Sequence, residues 1–413
     1  MLLSRPSLLS ALVPMVLAVW CSACASAPAA APAQSAARPR EGCEGKSAAE
    51  CHALGGKYAR GDGGYAKDEA HAATLFERVC TSGNMGGCVD LGIMYSDGMG
   101  VAKDAAHAAA LYRKACDGGL AIGCSNLGLL HEQGQGVAKD EARAAALYEK
   151  ACSGGYMEGC YNLGLLFRGG RGVAKDEART AALYEQACNG GLALGCSDLG
   201  AVYQKGWGVP QDQARARELL TRSCDGGYAV GCYNLGIHIS GGSDADKDVR
   251  AAEAYRKACQ GGHADSCSNL GMRYEDGQGV AKDEPHALEL HEKACDGGSS
   301  KGCFRLGYML MERKDKRSVH LFRKACEGGT MNGCVVLGSL HEQGWGVDKD
   351  EARAAALHQQ ACDAGYVIGC YSLGTLYAQG RGVTKDAARA AELFKKACDG
   401  GYSEACPAAN RSR

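Results

Sequence analysis

The chain has 413 residues, with 46 Lys and Arg against 47 Asp and Glu for a net charge of −1, and 46% of its residues are hydrophobic. That is enough apolar material for a sizeable core, and the interspersed charges form no basic stripe that could neutralise a run of phosphates, which argues against disorder and against a nucleic-acid partner. The unusual totals are 60 Gly and 24 Cys; cysteine at that level points to an oxidising compartment or to metal, because the cytosol keeps thiols reduced.

Residues 1–23 read as a signal peptide, with Arg5 as the positive end, an apolar stretch over 8–19 and small residues at Ser22 and Ala23. The apolar stretch is shorter than the about 20 residues a membrane-spanning helix needs. Cleavage is expected either after Ala25 or before Cys24. In the second case, which we favour, Ser22-Ala23-Cys24 resembles the end of a bacterial lipobox and Cys24 is the lipidation candidate, although Cys21 stands where such a box normally has Leu. Residues 24–42, with Pro28, Pro32 and Pro39 among many alanines, form a semi-extended tether. The expected location is the periplasm or the outer membrane as a lipoprotein, alternatively outside the cell, with membrane contact only through an N-terminal lipid.

A repeat occupies residues 43–406. The spacing C-x7-C joins Cys43 with Cys51, Cys80 with Cys88, Cys116 with Cys124, Cys152 with Cys160, Cys188 with Cys196 and Cys224 with Cys232. It continues through Cys259 with Cys267, Cys295 with Cys303, Cys326 with Cys334, Cys362 with Cys370 and Cys398 with Cys406. The period is about 36 residues, which identifies a solenoid. Residues 407–413 are left as a C-terminal tail. In one unit, Leu127, Leu130 and His131 follow Cys124 at helical spacing, a glycine loop covers 134–140, and Ala144, Leu147, Tyr148 and Ala151 mark a second helix. Asp140 is placed to N-cap the second helix, and Gly154 and Gly155 permit the left-handed conformation that ends it. Each helix has about 13 residues, or about 20 Å. With one apolar stripe per helix, about ten helix-turn-helix units are expected to stack into an all-α, right-handed α/α superhelical solenoid.

On a continuous helix, residues eight apart would lie about 12 Å apart, too far for a disulfide. The chain must reverse between them, and sequences such as Asp117-Gly118-Gly119 supply the reversal, so each bridge would staple the second helix of one hairpin to the first of the next. Pairing within a hairpin, such as Cys124 to Cys152, leaves Cys43 and Cys406 alone and has a variable spacing, whereas the eight-residue spacing never changes. Zinc would call for Cys-x2-Cys or His pairs gathered in fours, and neither pattern occurs, so no metal and no cofactor is expected.

The string A-C-x-G-G-x-x-x-G-C-x-N-L-G-x-L, then G-x-G-V-x-K-D, then A-A-x-L-Y-x-K-A-C, resembles the Sel1-like repeat, a relative of the tetratricopeptide repeat, and its paired cysteines resemble the Helicobacter cysteine-rich protein type. The resemblance covers residues 43–406 and implies an exported α/α solenoid with bridged helix pairs. Two units depart from it: 241–246 replaces the usual loop in the sixth, and the eighth lacks a loop between Met311 and Val319, so regular curvature is not expected there.

The glycine loops join helix to helix rather than strand to helix, so they read as turns, not phosphate cradles. Trp207 and Trp345 lie in such loops as packing or contact residues. His131 and His341 share a position with Tyr95, Tyr203, Tyr274 and Tyr377 and read as core or groove lining. No lysine has Ser or Thr three positions before it, and the eleven histidines form no metal-binding motif. Members of the resembled family carry a β-lactamase label, so the resemblance implies a second function, binding and slow hydrolysis of β-lactams or of the peptidoglycan fragments they mimic; no residue is identified for it. The groove candidates are Asp90, Asn126, Asn162, Asp198, Asn234 and Asn269, each two positions after the second cysteine of a pair. Asn and Asp are poor inside helices, so either a local hydrogen bond to the preceding turn, which we favour, or a ligand backbone must offset them. The function expected first is non-catalytic: an exported scaffold that binds a peptide or protein on its concave face.

Overall fold

A computed structural model describes residues 41–410. The proposed signal peptide, Cys24 and nearly all of the tether lie outside the described residues. Twenty helices pair into ten hairpins, from α1 (Ala48–Arg60) and α2 (Glu69–Thr81) to α19 (Val367–Gln379) and α20 (Ala387–Asp399). Between them run α3 (Met85–Asp97), α4 (Ala105–Asp117), α5 (Ala121–Gln133), α6 (Glu141–Ser153), α7 (Met157–Gly169), α8 (Glu177–Asn189), α9 (Ala193–Lys205) and α10 (Gln213–Asp225). The stack continues through α11 (Ala229–Ser240), α12 (Lys247–Gln260), α13 (Ala264–Asp276), α14 (Glu284–Asp296), α15 (Ser300–Glu312), α16 (Arg317–Glu327), α17 (Met331–Gln343) and α18 (Glu351–Asp363). A 3-10 turn, Ser403–Ala405, and a five-residue helix α21, Cys406–Asn410, close the end, so the tail begins as helix. No helix among the described residues is long and apolar enough to cross a membrane.

The repeated chemistry explains the repeated shape. Asp140 Oδ1 accepts the Arg143 amide at 2.8 Å, and Asp68, Asp104, Asp176, Asp212, Asp283, Asp350 and Asp386 cap the other regular second helices in the same way. The side-chain cap is missing in the two irregular hairpins, where α12 and α16 follow Asp246 and Lys316. At the far end of α6 the two glycines do different jobs. Gly155 is left-handed, with φ +82°. Gly154 is not, with φ −78°; a Cβ on it would lie 2.8 Å from the Ala121 side chain, so it is needed for close approach of the next helix rather than for its own conformation. Inside the hairpin Gly128 lets Tyr148 come near, and Leu127, Leu130, Ala144, Tyr148 and Ala151 are buried. Each large side chain buried in this way contributes about 1.5–3 kcal/mol.

All eleven C-x7-C pairs are disulfides, with Cα atoms 4.3–5.2 Å apart. Nine join the second helix of a hairpin to the first helix of the next. On the first-helix side stand Cys88, Cys124, Cys160, Cys196, Cys232, Cys267, Cys303, Cys334 and Cys370, bonded in that order to Cys80, Cys116, Cys152, Cys188, Cys224, Cys259, Cys295, Cys326 and Cys362. All eighteen are buried in the core, so these cysteines shape the stack from within and none of them faces a guest. The remaining bridges, Cys43 with Cys51 and Cys398 with Cys406, tie the first and last of the ten described hairpins to the segments that flank them. In the sixth hairpin, where the loop is altered, Arg273 of α13 is buried and spans the gap, donating to Ser240 Oγ at 2.7 Å and Asp248 Oδ1 at 3.1 Å.

Candidate functional site

First helices of successive hairpins pack on one another at α5–α7, α9–α11, α13–α15 and α17–α19, whereas second helices do so comparably only at α10–α12. Closer approach on the first-helix side makes that side concave. On each first helix the positions two before, two after and five after the second cysteine of a pair share one face, since spacings of four and three return to the same side. In α5 these are Ile122, Asn126 and Leu129, all half-buried.

The position five after that cysteine forms an apolar row: Ile93, Leu129, Leu165, Ala201, Ile237, Met272 and Tyr308. Beside it runs the polar series. All six predicted residues, Asp90, Asn126, Asn162, Asp198, Asn234 and Asn269, are half-buried on this face. Their bonds differ from the expected ones. His52 Nε2 lies 2.6 Å from Asp90 Oδ2, Tyr161 donates to Asp198 Oδ2 at 3.0 Å, and Asn234 Nδ2 donates to Ser197 Oγ at 3.2 Å. Each partner sits on the first helix of the preceding hairpin, not on the preceding turn. The side chains of Asn126, Asn162 and Asn269 have no partner among the described residues.

Electrostatics single out two of these sites. Burial pushes the Asp198 carboxyl above its ordinary range, against the opposing hydrogen bond from Tyr161 and charge of Arg168. The hydrogen bond to Asp90 raises His52 above the usual histidine value. Arg168 also lies over the Trp207 ring at 5.8 Å from its centroid. Trp207 is exposed while Trp345 packs into the core. His131 and His341 are half-buried and brace the loops that follow them, with Nδ1 3.3 Å from the Ala138 carbonyl and 3.4 Å from the Asp348 carbonyl.

Sequence reasoning missed a second series, eight positions after the second cysteine. Glu132 accepts from Tyr148 at 2.9 Å and from Arg171 of the next hairpin at 2.6 Å. Glu275 lies 2.5 Å from His291 Nε2, and Glu342 lies 2.9 Å from His358 Nε2 and 3.0 Å from Arg381 Nη2. Both histidines are 0% exposed. The hydrogen bond from His358 pulls Glu342 below its ordinary value; for Glu275, burial pushes up, and the bond from His291 together with the charges of His291 and Arg305 outweighs it. Part of the signal was available: Ser96, Glu132, Arg168, Glu275 and Glu342 each accompany a Tyr or His sixteen positions later, whereas Gln204 accompanies Leu220 and Ala378 accompanies Phe394. Among the described residues no group of three or more His, Cys, Asp or Glu could hold a metal ion.

Geometry and chemistry together define an α-solenoid of disulfide-clipped helical hairpins with an open, mixed apolar and amide-lined inner face. The Sel1 repeat family model matches ten successive stretches, from 51–84 and 87–120 through 333–366 and 367–402, and the chain belongs to the Sel1 repeat family. It is similar to a protective antigen displaying an SLR fold from uropathogenic Escherichia coli, with 29% identity over 90% of this chain and 80% of that one and a TM-score of 0.66. It also resembles a Sel1 repeat protein from Oxalobacter formigenes, 23% identical over 73% of this chain and 90% of that one, with a TM-score of 0.60, which bears on the fold alone. Cysteine-rich protein B of Helicobacter pylori is 28% identical over 40% of this chain and 98% of its own length, with a TM-score of 0.22. No curated protein matches the chain.

Proposed function

We propose that the protein is an exported scaffold whose concave face binds an extended peptide segment of another protein. The observation that carries this reading is the row of half-buried amides at Asn126, Asn162 and Asn269, without side-chain partners among the described residues and directly beside the apolar row. An amide side chain can accept from and donate to one peptide unit at once, so a ladder of them suits a backbone laid along the stack, while the apolar row takes alternate side chains. Bridges between hairpins hold the face in shape before the guest arrives, so less ordering entropy opposes binding. Eleven disulfides fit an oxidising compartment outside the cytoplasm; whether the protein is periplasmic, lipid-anchored through Cys24 or secreted is read from the mass of the mature N-terminus.

The test is selection of a random peptide library on immobilised oxidised protein. We expect enrichment of sequences with alternating apolar residues, and loss of that enrichment in N126A/N162A/N269A with its melting curve preserved. Absence of any enrichment refutes peptide binding; enrichment that survives the triple substitution refutes the amide ladder.

A further inference from the structure

The exposed large apolar side chains among the described residues are Trp207 at 42%, Ile237 at 45%, Val249 at 59% and Tyr308 at 45%, and all four fall in the fifth to eighth of ten hairpins. Ile237 and Tyr308 belong to the apolar row of the concave face and flank Met272. They stand on α11 and α15, the first helices of the two hairpins whose connecting loops are shorter than the seven-residue form. The centre of exposed apolar surface on the inner face is therefore local, not spread along the stack.

Charge marks the same place. In α15 the positions two before and two after Cys303 are Lys301 and Arg305. Every other first helix has a neutral or acidic residue at both positions, with Glu158, Asp198 and Asp265 among the acidic ones. Lys301 is exposed and has no ion pair among the described residues. Arg305 reaches only Glu275, at 3.8 Å, and that carboxylate is already engaged by His291 at 2.5 Å. The eighth hairpin thus presents two cations with spare capacity beside an exposed tyrosine, on a face otherwise neutral to acidic.

Resting on the peptide-binding reading above, we propose that α11, α13 and α15 form the specificity site, and that the segment they take has bulky apolar side chains seated on Ile237, Met272 and Tyr308 and runs directly into aspartate or glutamate side chains held by Lys301 and Arg305. The acidic stretch lies at the eighth hairpin, because an acidic stretch over Glu158, Asp198 and Asp265 would meet like charge. The arrangement therefore fixes the direction of the guest along the stack as well as its composition.

Fluorescence anisotropy with two labelled, C-terminally amidated peptides tests this. Each has about ten residues, long enough to cross three neighbouring first helices in extended form. Both alternate leucine and serine; one carries a run of aspartates at one end and the other a run of lysines. The oxidised full-length protein is expected to bind the aspartate peptide about tenfold more tightly than the lysine peptide. K301E/R305E should reverse that preference, and Y308A should weaken both peptides. Equal affinity for the two peptides, a preference unchanged in K301E/R305E, or no measurable binding of the aspartate peptide overturns the proposal. A library selection that enriches neutral or basic sequences leaves the peptide-binding reading standing and removes this one. Binding that depends on a free C-terminal carboxylate, restored when amidation is omitted, also removes it.

Discussion

Replacing Cys188 and Cys196 by Ala cuts the bridge between the fourth and fifth hairpins, where both sulfurs are buried and the Cα atoms are 4.5 Å apart. Closing so short a loop removes chain entropy from the unfolded state worth roughly 2.6 kcal/mol, and the two lost sulfurs add about 1 kcal/mol of packing. If the roughly 370 described residues melt together, with an unfolding entropy near 0.8 kcal/mol/K, the midpoint should fall by about 4–5 °C. A stack in which each hairpin touches only its neighbours has a second outcome available: with this clip gone, one transition can separate into two. Differential scanning calorimetry on thiol-free preparations reads both. A midpoint within about 1 °C of the parent with an unchanged single transition, at the size expected from that entropy, would show that the bridge holds nothing that packing does not already hold.

Two alanine substitutions separate the two roles of glycine. G164A should cost about 1–3 kcal/mol in urea unfolding because the new Cβ would lie 2.7 Å from Tyr184 Cε1, whereas G155A, at φ +82° with nothing within 4 Å, should cost about 1 kcal/mol from backbone conformation alone. E342A leaves buried His358 without its carboxylate and should lose about 1–3 kcal/mol, while E342A/H358F copies the pairing of Ala378 with Phe394 in the tenth hairpin and should recover most of it. Glu275 and Glu342 titrate below their ordinary 4.5 in the folded state, so the unfolded chain binds protons first as pH falls; stability present above that value is lost as pH drops through the folded values, and E275Q/E342Q should flatten the fall in urea midpoint between about pH 6 and about pH 3.

Much of this architecture was legible because its causes are local and repeated. A fixed eight-residue cysteine spacing admits only a chain reversal, and a capping Asp before eight of the ten second helices states where that helix begins; the two hairpins lacking the Asp cap are the two whose loops are shortened. The polar series was legible in position but not in bonding. Nothing in the sequence near Asp198 says that its partner is Tyr161, because that contact depends on how one hairpin is set against the next. The same holds for His131: its helical spacing from Cys124 gives its position, but not that the short loop that follows brings the Ala138 carbonyl back to it. The carboxylates at Glu132, Glu275 and Glu342 were hidden by looking at one helix at a time, since each is intelligible only beside the Tyr or His sixteen residues later.

The two edges of the concave face are held by different forces, and this bears on where recognition can vary. At the N-terminal ends of the first helices, every junction between hairpins is covalent and buried, from Cys88 in α3 to Cys370 in α19. At their C-terminal ends the junctions are loop contacts, such as Gly136 fitted against the Ala105 backbone, together with ion pairs such as Glu132 with Arg171. A change of loop length on the covalent edge would break the spacing a disulfide needs, whereas on the other edge the loss of a loop leaves the helices in register. The altered sixth loop, the shortened eighth and exposed Trp207 all lie on the second edge. A scaffold clipped along one side can therefore change its loops on the other without losing its fold, and it is beside two such changes that Ile237 and Tyr308 come to the surface.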